Sequence, residues 1–177
     1  VLEMARKDER KGDWRSALRR YRRLTGLDPD DAALHVKLGD VCLRLGHPED
    51  AADAFWTAGR LFTRTAFDEK AAALYKRALG LAPDRRDVRE ALVEAYERLG
   101  RTQDALVVLE DAADYMEGSG RRREALDLRR QMARLDPLEL TERPPVADLQ
   151  PEFHHLTDAD LETVFSTGSL QGAQDMR

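Results

Sequence analysis

Four histidines and one cysteine carry most of the chemical scope of this chain: His35, His47, His154, His155 and Cys42. A catalytic or metal site needs such groups clustered so that they turn towards one point. His154 and His155 stand close to Asp158, but adjacent residues do not share a helix face, so they lack the spacing of a helical metal-ligand pair. A single cysteine excludes an intrachain disulfide framework and fits a reducing compartment. No glycine-rich phosphate loop, zinc spacing or nucleophile elbow is present. The sequence thus offers no catalytic, cofactor-binding or metal-ligating residues, and the chain is expected not to be an enzyme.

Charge is the other source of chemistry. Val1 to Thr25 hold nine basic residues against four acidic ones, whereas the stretch from Leu138 onward holds eight acids against Arg143 and Arg177. Arg19, Arg20, Arg22 and Arg23 could attract phosphates. The interleaved Asp8, Glu9 and Asp13 argue instead for a solvated helix face, and no nucleic-acid partner is expected. Arg121, Arg122 and Arg123 precede a helix whose positive end disfavours them; a partner would account for them, and so would Glu124 and plain solubility. No apolar run approaches the ~20 residues needed to cross a bilayer. A cytoplasmic location is expected. The chain opens in helical pattern at Val1, which suggests a piece of a longer protein.

The elements that must position these groups follow from an internal repeat. Pro29, Pro83 and Pro137 stand 54 residues apart in like settings, Leu27-Asp28-Pro29, Leu81-Ala82-Pro83 and Leu135-Asp136-Pro137. The same step lays Ala58 on Ala112, Ala71 on Ala125, Leu74 on Leu128 and Tyr21 on Tyr75. It also lays His35 and His47 on Arg89 and Arg101, so those positions are expected to be solvated, and Cys42 on Tyr96, so the thiol is expected to be packed. Apolar spacing predicts helices near 1–11, 13–27, 32–45, 48–65, 68–81, 86–99, 102–117 and 121–135. Gly12, Gly46, Gly100 and the Gly118 to Gly120 turn mark stops, and Asp30, Asp31 and Asp84 offer acceptors near helix starts. The short links between them make consecutive helices antiparallel neighbours.

Ala71, Tyr75, Ala78 and Pro83, like Ala17, Tyr21, Leu24 and Pro29, fall at the second-helix spacing of a known motif. Leu38, Gly39, Gly46, Ala51, Phe55 and Ala58 span the whole of it, as do Leu92, Tyr96, Gly100, Ala105, Leu109 and Ala112. On these residues, over about 1–137, the chain resembles the tetratricopeptide repeat family, a 34-residue helix-turn-helix. The departure is that each 54-residue unit holds three helices. Helix 48–65 serves as second helix of one repeat and, through Phe55, Ala58, Gly59 and Phe62, as first helix of the next. The resemblance implies an all-α, right-handed αα-solenoid of about eight antiparallel helices that binds a protein or peptide segment in a groove and carries no catalytic site.

The family's carboxylate clamp would need lysines and asparagines where this chain has Val36, Lys37 and Asp40, then Glu90, Ala91 and Glu94. An acidic row of Glu90, Glu94 and Glu97 favours a basic or apolar segment instead. Trp56 beside Arg60 has the makings of a contact anchor, or packs on helix 68–81. The candidate partner-binding residues are therefore Lys37, Asp40, Trp56, Arg60, Glu90, Glu94 and Glu97. Pro144-Pro145 makes 138–150 a linker. In the acidic tail 151–177 a short helix at about 157–166 is expected; Phe153, Leu156, Leu161, Val164 and Phe165 give it an apolar side for docking, on this chain or by self-association. Pro151, Phe153, Leu156, Thr157, Asp160 and Leu161 also resemble the entry helix of cyclic-nucleotide-binding domains. That resemblance implies an alternative role, a structural or interdomain module of a larger regulator.

Overall fold

The computed structural model of the chain describes residues 1–136. The expected linker, the tail helix and the five tail-docking residues lie outside them. Eight α-helices make up the described part: α1 (Leu2–Lys11), α2 (Trp14–Leu27), α3 (Ala32–Arg44), α4 (Pro48–Arg64), α5 (Asp68–Leu81), α6 (Arg86–Arg98), α7 (Thr102–Gly118) and α8 (Arg122–Leu135). Each packs chiefly on the helix before and the helix after it, the arrangement of an all-α solenoid.

Local chemistry sets the helix ends. The Asp13 carboxylate accepts the Ser16 N–H at 3.0 Å, and Asp31 accepts those of Ala33 at 2.8 Å and Leu34 at 3.2 Å. Pro48 takes the first turn of α4, where no N–H is needed. Of the other aspartates expected near helix starts, Asp30 pairs with Arg64 of α4 at 2.9 Å. Helix α6 opens from Arg85 with no side-chain cap, so Asp84 does not act as one. Gly12, Gly46, Gly100 and Gly120 turn the chain out of α1, α3, α6 and α7 with φ between 67° and 77°. The end of α4 makes the same left-handed turn at Ala66, with φ of 59°.

Small residues let the helices approach and aromatic rings lock them. A Cβ added at Gly39 of α3 would stand 2.5 Å from Phe55 Cε1 of α4, and one at Gly59 of α4 would collide in the same way with the Tyr75 ring of α5. Thus α4 presents its Phe55 face to α3 and its Gly59 face to α5. Between α1 and α2, Ala5 and Tyr21 are fully buried, and Tyr21 Oη donates to Glu9 Oε2 at 3.1 Å. Burial, then the Glu9 charge, pushes the Tyr21 phenol up to about 12. Two apolar cores result: a small one built on Ala5, Ala17, Tyr21, Leu34 and Val41, and a larger one running from Cys42 to Leu128. Leu18 and Leu38 pack against both.

Candidate functional site

Tyr75 of α5 is the buried ring against which the half-buried Trp56 packs. The Tyr75 ring is 2% exposed and its hydroxyl shares a 2.9 Å hydrogen bond with Thr63 Oγ1 of α4. Trp56, also on α4, lies tilted at 46° against Tyr75 with centroids 5.2 Å apart. Trp56 therefore packs on α5, one of the two sequence expectations for it, and stays half-buried. Two guanidinium groups flank its ring, Arg60 and Arg85, each 5.9 Å from the centroid. Arg85 is held there by Asp53 of α4 and by Asp87, the latter at 2.7 Å. The Arg85 hydrogen bond keeps the Asp87 carboxyl below its usual range. Burial pushes the Tyr75 phenol up, the Thr63 hydrogen bond opposes this, and Arg98, Arg60 and Glu94 act on it more weakly through their charges.

The other predicted residues are distributed differently. Asp40 of α3 is bound to Arg77 of α5, whose guanidinium lies 3.9 Å over the Phe55 ring. Lys37 of α3 stands exposed. Glu90 is paired with Arg86 at 2.7 Å and Glu94 with Arg98 at 2.7 Å, each one turn away on α6 itself, so two members of the acidic row are already neutralised. Glu97 stands exposed. In the basic amino end, Arg20 meets Asp8 at 2.6 Å and Arg22 meets Asp50 at 2.7 Å, so these arginines join helices together.

The histidine and cysteine positions divide. A cleft of about 260 Å³ is lined by Arg22, His35, Cys42, Asp50, Asp53 and Thr57, among others. His35 Nε2 is 3.0 Å from the Pro29 carbonyl, and Cys42 is 1% exposed, its thiol pushed up by burial first and by Asp50 second. A buried thiol held in its neutral form is a poor nucleophile. Among the described residues no group of histidines, cysteines and acids has the arrangement to hold a metal ion. His47 and Arg101 are exposed, as the shared register predicts. Arg89 is not: it is 5% exposed, and the expectation that it is solvated fails. The slot it fills on α6 faces the packed interior, where the aligned His35 is only half-buried.

Sequence reasoning also missed Arg85 and Arg77. Their partners Asp53 and Asp40 lie 32 and 37 residues away, beyond any pairing rule a helix supplies. The one available signal for Arg85 was that it follows a turn and precedes an apolar helical run, a place where a basic residue is unfavourable without a partner.

Tetratricopeptide repeat models match residues 2–60 and 69–126, together well over half of the chain, and the chain belongs to the tetratricopeptide repeat family. Members of this class are protein-interaction modules, generally without catalysis. Among solved structures the chain is similar to MamA, at 21% identity over 77% of this chain and 96% of that one, with a TM-score of 0.32. It is similar to YrrB, described as a tetratricopeptide protein with an unusual peptide-binding site, at 16% identity over 80% and 90%, with a TM-score of 0.33. A thermophilic tetratricopeptide protein of Thermus thermophilus is 24% identical over 74% of this chain and 77% of that one, with a TM-score of 0.34. No helix among the described residues is long and apolar enough to cross a membrane.

Proposed function

We propose that this solenoid is a non-catalytic, cytoplasmic adaptor that holds a segment of another protein against the surface around Trp56. The observation that carries this is the half-buried Trp56 ring, backed by buried Tyr75 and flanked by Arg60 and Arg85. An aromatic residue on a rigid floor, with arginines at its edge, is the composition that dominates binding energy at protein interfaces. Of the two partner chemistries suggested by the sequence, basic and apolar, the apolar one has the better support. An apolar segment fits, because the two guanidinium groups beside the ring repel a cation and Glu90 and Glu94 are already engaged.

The test is a partner captured by crosslinking and then titrated against purified variants. Trp56→Ala should weaken binding at least tenfold, while Lys37→Ala, on α3, should leave it within about twofold. Helix content by circular dichroism should match wild type in both. Equal affinity for wild type and Trp56→Ala would remove the Trp56 surface from the interface.

A further inference from the structure

Helices α5 and α8 are equivalent under the 54-residue step, but α5 packs between α4 and α6, whereas α8 packs chiefly on α7 and no helix follows it among the described residues. Their core positions are buried alike, Ala71 and Ala125 at 0% and 2% exposure, Leu74 and Leu128 both at 7%. The stripe beside them differs: Ala72 of α5 is 3% exposed, and its counterpart Leu126 is 50% exposed. Residues 122, 126, 129 and 133 share that stripe on α8, as 68, 72, 75 and 79 do on α5. On α5 the stripe faces α6, since Asp68 meets Arg98 in the last turn of α6 at 2.9 Å. The charge is reversed on α8, where Arg122 stands in the place of Asp68. Arg122 and Arg123 also lie in the first turn, where the positive helix end disfavours a cation. Arg121, Arg129 and Arg130 are paired with Glu124, Glu117 and Asp127 at 2.6, 2.6 and 3.0 Å, but Arg122, Arg123 and Arg134 enter no ion pair among the described residues.

We propose that this stripe of α8 is a docking surface for an amphipathic helix of a partner protein, apolar on one side and acidic along its edge, lying on α8 as α6 lies on α5. Repeats of this kind bury their apolar sides by stacking helix on helix, so the uncovered stripe fits a helix better than an extended segment. Leu126 offers the apolar contact, and covering a half-exposed leucine gains more than covering the smaller Ala72. Charge selects an acidic helix, because the carboxylates that would pair with Arg122 and Arg123 are not supplied by the described residues. The same charge disfavours a second copy joined through the described helices: α1 shows Arg6, Lys7, Arg10 and Lys11 to solvent, and two α8 stripes would set arginine against arginine. The surface is independent of Trp56.

The probe is a fluorescein-labelled peptide of about 16 residues, with leucine at helical i, i+3, i+4 and i+7 spacing and glutamate elsewhere, long enough to form a helix when docked. It is titrated by anisotropy against the full chain, beside one version with glutamine and one with lysine in place of glutamate. Wild type should bind the glutamate peptide saturably, about tenfold more tightly than the glutamine one, and should not bind the lysine one. Leu126→Glu, at an exposed position, should keep the melting curve of wild type and weaken binding by about tenfold or more. Arg122→Gln should weaken it less and lower its salt dependence. Trp56→Ala should bind as wild type does, which separates failure here from failure of the Trp56 surface. The proposal is overturned if wild type does not bind, if the glutamine peptide binds equally well, or if Leu126→Glu leaves the affinity unchanged. Binding seen only in a Leu161→Asp variant would put the chain's own acidic segment on the stripe, and self-association lost in Leu126→Glu would put a second copy there. Either result overturns a partner's helix as the occupant.

Discussion

Ala66 sits where the chain should want glycine. Gly12 and Gly120, one 54-residue step to either side, take the left-handed conformation that ends α1 and α7, and Ala66 ends α4 in the same way. The hydrogen bonds are shared as well: Phe67 N–H reaches Phe62 O at 3.0 Å, as Arg121 N–H reaches Met116 O at 2.8 Å. A Cβ in this region costs roughly 1–2 kcal/mol, partly offset by the lower entropy of alanine in the unfolded chain. Ala66→Gly should therefore stabilise the protein by about 0.5–1 kcal/mol in a urea titration. A loss of stability would mean that the turn is not left-handed in solution. Arg89 shows the opposite limit of legibility: its alignment with His35 fixes its place on the helix, but not what covers it.

Among the elements, α4 is distinctive because both of its faces are used for the same kind of lock. Phe55 fills the space left by Gly39, and Gly59 leaves the space that Tyr75 fills. One step further along, Ala113 and Arg129 occupy the places of Gly59 and Tyr75, and Arg129 turns outward to Glu117 at 2.6 Å. The α7–α8 contact therefore proceeds without a ring in this position. Gly59→Ala should cost about 1–3 kcal/mol, since neither the α4 backbone nor the buried Tyr75 ring has room to yield. Gly26, in α2, has nothing within 4 Å of where a Cβ would stand. Gly26→Ala should be neutral or stabilising by up to about 1 kcal/mol, as expected for an open helix interior. If the two substitutions cost the same, close approach is not what glycine supplies at position 59.

At the scale of the whole described chain, stability is a sum over neighbouring helices, and it is unequal along the stack. The α1–α3 core holds few large buried side chains, and α1 packs chiefly on α2. The core from Cys42 of α3 to Leu128 of α8 is larger and continuous. Native-state hydrogen exchange should accordingly show α1 and α2 opening at lower free energy than α4 to α7. Uniform protection from α1 to α7 would mean one cooperative unit. Ion pairs tie the stack across its surface, with Arg22–Asp50, Arg64–Asp30, Arg77–Asp40, Arg85–Asp53 and Arg98–Asp68 joining residues 28 to 37 apart. Each contributes about 0–1 kcal/mol, so their main effect is on which charges remain free for a partner.

The eight helices of the described residues and their order were legible in the residues alone, with every boundary falling within one residue of its expected place. Apolar spacing, aspartate caps and left-handed glycines act over a few residues, so they can be read locally. The tertiary structure alone decided the electrostatics: that Glu90 and Glu94 are neutralised, that Arg85 joins Arg60 at the Trp56 ring, and that Arg89 is buried without a partner. The physical reason is that charge pairing and desolvation depend on which distant helix comes to lie alongside, and no local pattern carries that information.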